Sequence, residues 1–455
     1  MARWLENALD YINDWLDFQM RLTRQPGCVV AVAHKGRIVF ERAYGYANAI
    51  KGERLTPRHR FRVASHSKSF TAAAVLKLRE SGKLSLDDPV GRYVDGLHPS
   101  IAAVTLTQLL SHGAGIIRDG ADAGQWIDER PFANEAELRA ALIEPPLITP
   151  NTRMKYSNHG FGLLGLVIEA VTGERYGDWI SRKILSPLKL TETRPDGPFV
   201  DGVPVARGHS AELPLGRRVI IPGDNPTNAL AAATGFVSTA ADLVRFFTSL
   251  DPDSKHSVIS PASRRAMLHR QWHDPHAAVE SYYGLGLCLG SAGGWEWAGH
   301  GGGFQSAKTF TAMFPGRELC FSVLTNASDG MAETCREGLI HILRTFATNS
   351  VAKARTRSWK GRWWSLGDVV DLVPFDDRVL IAAPDQLNPF GAADEICVTT
   401  RDRGVISLSG GYGIHGETAR LVRGRDGKVR EVWLGGDRWV SERRMAANMG
   451  RRYDR

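Results

Sequence analysis

The chain has little cysteine and no long apolar run. Its five cysteines are Cys28, Cys288, Cys320, Cys335 and Cys397. They are odd in number, scattered and free of any C-x-x-C pair, which is typical of a reducing compartment and gives no zinc-site spacing. Nowhere do about 18 or more apolar residues run together, so no membrane-spanning helix is predicted. The opening segment also lacks the apolar core of a signal peptide, so a cytoplasmic location is expected.

Motifs for metal and nucleic-acid binding are missing as well. The histidines at 34, 66, 112, 159 and 300 do not share metal-ligand spacing, so no metal or other cofactor is expected. The net charge is +8, but no nucleic-acid motif accompanies it, which favours a dispersed surface charge. The expected partner is a small-molecule or short peptide substrate, with neither specific nucleic acid nor membrane. Self-association into a homo-oligomer is left open.

The sequence does contain patterns of both strands and helices. Residues 27–47 form two β-prone stretches joined at His34-Lys35-Gly36, which indicates an antiparallel hairpin. Residues 105–250 are mostly helical in pattern, and strand-like alternation returns at 307–324. The first and last of these segments are expected to share one antiparallel sheet, which is an α+β arrangement.

The chain length requires more than one core, since single cores stop growing at about 250–300 residues. We predict an α+β domain over residues 1–350, with a helical lobe at about 66–250 inserted between the sheet segments. A linker at 351–358 is expected to follow. Residues 359–455 alternate short β-prone runs with turns and are predicted to form a small all-β, barrel-like domain.

The first candidate motif places a hydroxyl and an amine one helical turn apart. Ser65 and Lys68 stand as S-x-x-K where a strand-like run gives way to a helix that ends near Gly82. The free backbone N–H groups and the positive dipole end of such a helix favour an anionic nucleophile and an oxyanion. The alternative is that Ser65 merely caps the helix while Lys68 is solvated.

The second motif is Tyr156-Ser157-Asn158, directly before a predicted helix from about 159 to 173. A phenol is a poor base at its ordinary pKa near 10, but a nearby ammonium such as that of Lys68 would lower this value. Asn158 could hold Lys68 or a substrate carbonyl. The alternative is a loop tyrosine followed by a capping asparagine.

The third motif is a glycine-rich segment that leads into a strand. His300 is followed by Gly301, Gly302 and Gly303, which keeps the backbone bare enough for a ligand to lie alongside and leaves N–H groups for an oxyanion. The alternative is a glycine-rich hairpin with a structural histidine.

The three motifs together, in this order, resemble those of the penicillin-recognising serine hydrolases, the serine β-lactamase and D-Ala-D-Ala carboxypeptidase superfamily. Histidine at position 300, where many members have lysine, is similar to the class-C-like branch of D-aminopeptidases, D-amino-acid amidases and esterases. The segments at 105–115 and 235–243 are also similar to that family, and the likeness covers about residues 10–345. The all-β tail resembles the small barrel appended to D-aminopeptidase-like members.

The resemblance implies a β-lactamase-like fold for residues 1–350 and a role for each motif residue. Ser65 would be the nucleophile of an acyl-enzyme, with Lys68 and Tyr156 as its proton-handling partners, and which of the two is the general base stays open. The residues implied in substrate binding or the oxyanion site are Asn158, His300, Gly301, Gly302 and Gly303. Gly301 stands where related proteins commonly have a threonine, so a hydroxyl that would contact a substrate carboxylate is missing.

The resemblance therefore predicts a serine hydrolase that acts on amides or esters. A D-aminopeptidase or D-amino-acid amidase is the first candidate. The alternatives are a carboxylesterase, or low β-lactamase activity, within the same family. An alternative of another class is a non-catalytic sensor or binding protein of the penicillin-binding type that keeps the fold.

Overall fold

The computed structural model describes residues 1–213, 215–277, 280–410 and 413–454. These residues divide into two compact units. One unit is Gln25–Arg336, and the other combines Met1–Arg24 with Glu337–Arg455. In the part of the chain that is described, no helix is both long and apolar enough to cross a membrane.

The helices occur along the whole chain. They are α1 (Arg3–Leu22), α2 (His66–Glu80), α3 (Pro99–Ala102), α4 (Leu106–Leu110), α5 (Glu135–Leu142), α6 (Asn158–Thr172), α7 (Tyr176–Ile180), α8 (Ala240–Ser249), α9 (Pro261–Leu268), α10 (Ala332–Thr348), α11 (Ala354–Arg357) and α12 (Glu442–Tyr453). Short 3₁₀ turns lie at Val90–Arg92, Gly124–Ile127 and Asn228–Leu230, and π-type turns lie at Ser181–Leu185 and Ala231–Gly235.

The strands fall into two main groups. Those of the first unit are β1 (Gly27–His34), β2 (Arg37–Asn48), β3 (Glu53–Arg54), β4 (Phe61–Arg62), β5 (Gly208–His209), β6 (Ile220–Ile221), β7 (Val237–Ser238), β8 (Trp272–His273), β9 (Ser281–Tyr283), β10 (Cys288–Ala292), β11 (Trp295–Phe304), β12 (Ala307–Phe314) and β13 (Leu319–Thr325). Those of the second are β14 (Gly361–Trp364), β15 (Val369–Phe375), β16 (Arg378–Ala382), β17 (Asp394–Thr400), β18 (Arg403–Leu408), β19 (Thr418–Arg423), β20 (Val429–Leu434) and β21 (Asp437–Val440).

A nine-stranded sheet forms the framework of the first unit, in the order β3-β2-β1-β13-β12-β11-β10-β9-β8. The hairpin predicted at 27–47 is β1 and β2, and β1 pairs antiparallel with β13 along Cys28↔Thr325 to His34↔Leu319. The start and the end of this unit therefore share one antiparallel sheet, and the predicted α+β, β-lactamase-like fold class is confirmed.

The predicted helical lobe lies between β3 and β8 in the chain. Its core includes a stack of three phenylalanine rings. The ring centroid of Phe70 in α2 lies 3.6 Å from that of Phe246 in α8 and 4.4 Å from that of Phe236. All three side chains are fully buried. Because aromatic pairs of this kind contribute beyond their buried area, the stack fixes α2 against the segment that precedes α8.

The second unit contains a closed barrel of strands β14 to β21, which confirms the predicted all-β region at the C-terminal end. Its strands alternate buried and exposed residues, as β19 does, because successive side chains point to opposite faces. One element there was not predicted. Helix α12 follows the barrel and has no buried residue, although Met445, Met449 and Tyr453 recur along it at helical spacing.

Helix α1 belongs to the barrel unit, although it begins the chain. Tyr11 lies 5.3 Å from Phe390 between ring centroids, and Gln19 donates a hydrogen bond from Nε2 to the Pro384 carbonyl at 2.6 Å. The predicted domain boundaries at 350 and 358 stay a prediction, since the compact units divide at 24/25 and 336/337. The predicted linker contains the short helix α11.

Close packing between α1 and α10 gives a test of this unit. A Cβ on Gly338 would lie 2.2 Å from Trp15, whereas one on Gly450 of α12 would meet nothing within 4 Å. We expect Gly338→Ala to reduce the free energy of unfolding by about 1–3 kcal/mol despite the better helix propensity of alanine. Gly450→Ala, the matched control, should be neutral or stabilising by up to about 1 kcal/mol. Equal melting temperatures for the two variants would contradict the packing described here.

Candidate active site

The start of α2 is held by a tight turn that presents Ser65. Strand β4 pairs with β7, and the Val63 N–H donates to the Phe236 carbonyl at 3.0 Å. Ala64 then adopts the left-handed region, with φ +46°, which is unfavourable for a residue with a Cβ. Ser65 is the N-cap residue, yet its side chain makes no capping hydrogen bond. Its hydroxyl is therefore left for other partners.

The residues after Ser65 anchor the turn to the sheet. His66 is fully buried, with Nδ1 2.9 Å from the Val63 carbonyl and Nε2 2.9 Å from the Thr311 hydroxyl of β12. A carbonyl only accepts, so Nδ1 donates and Nε2 accepts. Burial lowers the pKa of His66 to about 4, which keeps the ring neutral in this tautomer near pH 7.

Lys68 is fully buried beneath Ser65. Its Nζ lies 3.2 Å from Ser65 Oγ, 2.7 Å from Asn158 Oδ1 and 2.9 Å from the Ala233 carbonyl in the π-type turn Ala231–Gly235. The alternative of a solvated lysine is therefore wrong. Burial lowers the pKa of Lys68 well below its usual range, although Asp119 raises it in part.

The three contacts at Lys68 Nζ match a neutral amine. Such an amine has two protons and one lone pair, and two of its partners, the Asn158 amide oxygen and the Ala233 carbonyl, can only accept. The two protons are thereby used. The lone pair then faces Ser65 Oγ, whose hydroxyl can donate to it. This is the arrangement in which an amine can remove the proton of a serine.

Tyr156 approaches Ser65 from the other side. Its hydroxyl donates to Ser65 Oγ at 2.9 Å, and its ring packs 4.1 Å from the His112 ring between centroids. Burial raises the pKa of Tyr156, and the hydrogen bond to Ser65 opposes this only in part. The direction is opposite to the lowering expected from a neighbouring ammonium, because Lys68 is itself driven toward its neutral form. Tyr156 is thus a neutral donor here.

Asn158 connects Lys68 to a carboxylate that sequence reasoning missed. Its Nδ2 donates to Asp119 Oδ1 at 2.6 Å, which fixes the amide so that Oδ1 faces Lys68. The other Asp119 oxygen pairs with the exposed Arg118 at 3.0 Å. Nothing in the residues around Asp119 resembles a motif, so no sequence signal marked it.

The glycine-rich segment forms a strand edge beside Ser65. Strand β10 pairs with β11 only as far as Gly299, so among the described residues His300–Phe304 have a strand on one side only, β12. The Gly301 N–H donates to the Cys288 sulfur on the β10 side. Because alternate N–H groups of a strand point the same way, the Gly303 N–H points to that side as well, beyond the end of β10. A Cβ on Gly302 would lie 2.2 Å from the Val63 carbonyl.

The His300 imidazole lies at this edge, but both its nitrogens have protein partners. Nδ1 lies 2.7 Å from the Gly301 carbonyl, so it donates, and Nε2 lies 3.1 Å from the Tyr283 hydroxyl and accepts from it. Burial, with a contribution from Lys68, lowers the pKa of His300 to about 3. The histidine is therefore neutral, and it brings no cation to the edge. Tyr283 is a second residue that no sequence signal identified.

The structure thus brings Ser65, Lys68, Tyr156 and Asn158 into one hydrogen-bonded cluster, with His300 and its glycines alongside. The chain contains two further S-x-x-K matches, Ser186–Lys189 and Ser350–Lys353. Lys189 is exposed, and Lys353 forms ion pairs with Asp376 and Asp377, so neither lysine is buried beside its serine. Within the described residues, no three His, Cys, Asp or Glu side chains are grouped so that they could hold a metal ion. The site's own groups suffice for proton transfer and oxyanion binding at a serine.

A sequence model of the beta-lactamase family matches residues 12–342. The chain belongs to the beta-lactamase family. The resemblance inferred from the three motifs is thereby confirmed, and the family match contains every residue of the cluster around Ser65.

Curated relatives match over part of their length. Protein flp of Staphylococcus aureus (strain N315) is 27% identical over 196 residues, which is 42% of this chain and 39% of that protein. The match thus spans about two fifths of flp. Esterase EstB of Burkholderia gladioli is 29% identical over 287 residues, covering 55% of this chain and 72% of EstB.

Solved structures match over nearly the whole chain. An octameric penicillin-binding protein homologue from Pyrococcus abyssi has a TM-score of 0.66 at 24% identity and covers 95% of this chain and 99% of its own. At that identity the likeness establishes the fold. SurE has a TM-score of 0.63 at 26% identity, covering 96% of this chain and 99% of its own. SurE has also been solved with D-Leu.

The contact between Gly302 and Val63 gives a test of the site's geometry. Gly302→Ala would force β11 away from the turn that carries Ser65, and a displacement of about 1 Å can reduce a rate about 100-fold. We expect labelling of the chain by a fluorophosphonate to slow by about that factor. Gly303→Ala is the matched control, because a Cβ there would meet only the flexible end of Lys308, at 3.2 Å. Equal labelling rates in the two variants would contradict the described spacing.

Proposed function

We propose that the protein is a serine hydrolase that acts through an acyl-enzyme on Ser65. The observation that carries the proposal is the hydrogen-bonded set in which Lys68 Nζ lies 3.2 Å and the Tyr156 hydroxyl 2.9 Å from Ser65 Oγ. In the proposed mechanism, Ser65 Oγ attacks a carbonyl carbon while its proton passes to the neutral Lys68 amine. Lys68 is the base because burial lowers its pKa, whereas burial raises that of Tyr156.

The oxyanion that forms would accept from two backbone N–H groups. The Ser65 N–H stands at the start of α2, and the Gly303 N–H points out of the unpaired edge of β11. Preorganised donors of this kind stabilise charge that develops in the transition state. The leaving group would take its proton from Tyr156, which is neutral and already donates toward Ser65. The protonated Lys68 would then restore the proton of Tyr156 through a water molecule, because the Ser65 oxygen is an ester oxygen in the acyl-enzyme. A second water would attack the ester carbonyl, returning one proton to Ser65 and releasing the acyl group as the acid.

A D-aminoacyl amide or peptide is the first proposed substrate. SurE, at 26% identity over 96% of this chain, has been solved with D-Leu, which supports a D-residue as the acyl group. The neutral His300 and the missing side chain at Gly301 provide neither a cation nor a hydroxyl for a substrate carboxylate. This disfavours peptides whose leaving group is a single C-terminal amino acid with a free carboxylate.

Carboxylester hydrolysis is the second candidate, supported by the likeness to EstB over 72% of that esterase. Amide and ester hydrolysis pass through the same acyl-enzyme, so the same residues would serve both. A panel of matched D- and L-amino-acid amides and short p-nitrophenyl esters distinguishes the two candidates, since a D-aminopeptidase should cleave the D-amides and reject their L-forms.

The proposed nucleophile is tested by intact-protein mass spectrometry after exposure to a fluorophosphonate and, separately, to a penicillin. The native chain should gain a single adduct from the fluorophosphonate, and Ser65→Ala should gain none while keeping its melting temperature. Lys68→Met should label more slowly by a factor of about 100 or more, because the general base is removed. Absence of any adduct on the folded native chain would favour the non-catalytic sensor or binding protein instead.

A further inference from the structure

We infer that Glu333 is a specificity-determining residue that selects a positively charged leaving group. This inference rests on the proposed acyl-enzyme function at Ser65 and names the substrate class of that site. Glu333 lies in the first turn of α10 and is exposed to solvent.

The space beside Gly301 shows where the Glu333 carboxylate lies relative to β11. A Cβ on Gly301 would lie 3.5 Å from Glu333 Oε1. The carboxylate therefore lies beside the unpaired strand edge, next to His300, at a place where any other residue at 301 would have a side chain. The same carboxylate contributes to the raised pKa of the Cys288 thiol, which burial chiefly causes. Glu333 is thus close to both strands that border the site.

The charge of Glu333 is not used within the protein. It has no hydrogen bond and no ion pair within the part of the chain that the structure describes. The cation one helical turn further along, Arg336, lies with its guanidinium over the rings of Trp297 at 4.9 Å and Phe310 at 4.5 Å. An exposed carboxylate in this state is ready to pair with a cation supplied by a ligand.

A bound substrate would lie along the edge of β11 with its leaving group at the end near Gly301 and Glu333. The Gly303 N–H would bind the oxyanion, while the leaving group would take its proton from Tyr156. The Tyr156 ring lies 6.5 Å from the Tyr283 ring between centroids, and Tyr283 donates to His300, the neighbour of Gly301. The proton donor and Gly301 therefore lie at the same end of the edge. A cation at the other end, Lys308, lies 3.2 Å from the Cβ position of Gly303.

The two charges flank the strand edge with opposite signs. Lys308 adds positive potential where the oxyanion would form. Glu333 adds negative potential where the departing group would lie, and Arg336, whose effect on the nearby Cys288 thiol is larger, opposes it in part. Glu333 and Lys308 lie on the face of β11 to which Cβ atoms at 301 and 303 would point, and the neutral imidazole of His300 lies on the other face. A leaving group with a carboxylate would be repelled by Glu333, and one with an ammonium would be attracted. The site is thereby suited to amides or esters whose leaving group carries a basic or quaternary amine.

The test compares thioesters that share an acetyl group and differ in the charge of the leaving thiol. Acetylthiocholine carries a trimethylammonium, its uncharged isostere has a tert-butyl group in that place, and acetylated mercaptopropionate carries a carboxylate. The native chain should favour the cationic thioester over the uncharged one by about fivefold in kcat/KM, as expected for a partly exposed ion pair. It should disfavour the anionic one, and added salt should weaken both preferences.

Glu333→Gln should reduce the preference for the cation to about onefold, measured as the ratio of kcat/KM for the cationic and the uncharged thioester. Glu318→Gln is the matched control, because it removes the same charge from the turn that follows β12. The last residue of that strand, Phe314, is six residues from Lys308 and so about 20 Å from it along the strand. The control variant should retain the full preference. If the thioesters turn over too slowly, the ratio of their inhibition constants against p-nitrophenyl acetate gives the same comparison.

Two results would overturn the inference. One is an equal preference for the cationic and uncharged compounds in the native chain, and the other is an unchanged preference in Glu333→Gln. A failure of the proposed function would look different, since the native chain would then hydrolyse neither p-nitrophenyl acetate nor any thioester and would gain no adduct at Ser65.

Discussion

The site depends on one interaction, the burial of the Lys68 amine between two acceptors and the Ser65 hydroxyl. A fully buried ammonium without a charged partner in direct contact is unfavourable, so burial lowers the pKa of Lys68 and favours the neutral amine. The Asn158 oxygen at 2.7 Å and the Ala233 carbonyl at 2.9 Å then satisfy its protons. The surrounding architecture serves this arrangement: the stacked rings beneath α2 fix the helix, Asp119 orients Asn158, and the π-type turn supplies the carbonyl.

A second constraint is the absence of side chains at three successive positions along the unpaired edge of β11. Glycines at 301, 302 and 303 let the strand approach the turn before Ser65 and leave the Gly303 N–H pointing outward. The same absence of side chains exposes Glu333 and Lys308 to the edge, so the residues that make close approach possible also determine which charges a substrate would meet. The neutral His300 has a supporting part, because its nitrogens bind Gly301 and Tyr283 and keep the ring in place.

Much of this could be predicted from the sequence where residue type and spacing carry the information. The hairpin at 27–47, the helices that start at Ser65 and Asn158, and the grouping of Ser65, Lys68 and Tyr156 follow from local patterns and from the three motifs. The third partner of Lys68 could not be predicted, because it is a backbone carbonyl that any residue at 233 would supply. Asp119 and Tyr283 contact the motifs across long sequence separations. The assignment of α1 to the barrel unit depends on packing that no local pattern encodes.

The central claim, a neutral Lys68 at neutral pH, is tested most directly by nuclear magnetic resonance. The chain would be labelled with carbon-13 at the lysine ε positions and titrated, with Lys68→Met used to assign the signal of Lys68. A lowered pKa means that the amine loses its proton at a lower pH than the other lysines. The account predicts a Lys68 signal that is already in its neutral form at pH 7 and that shifts only on acidification. A signal that titrates with the exposed lysines, near pH 10.5, would contradict it.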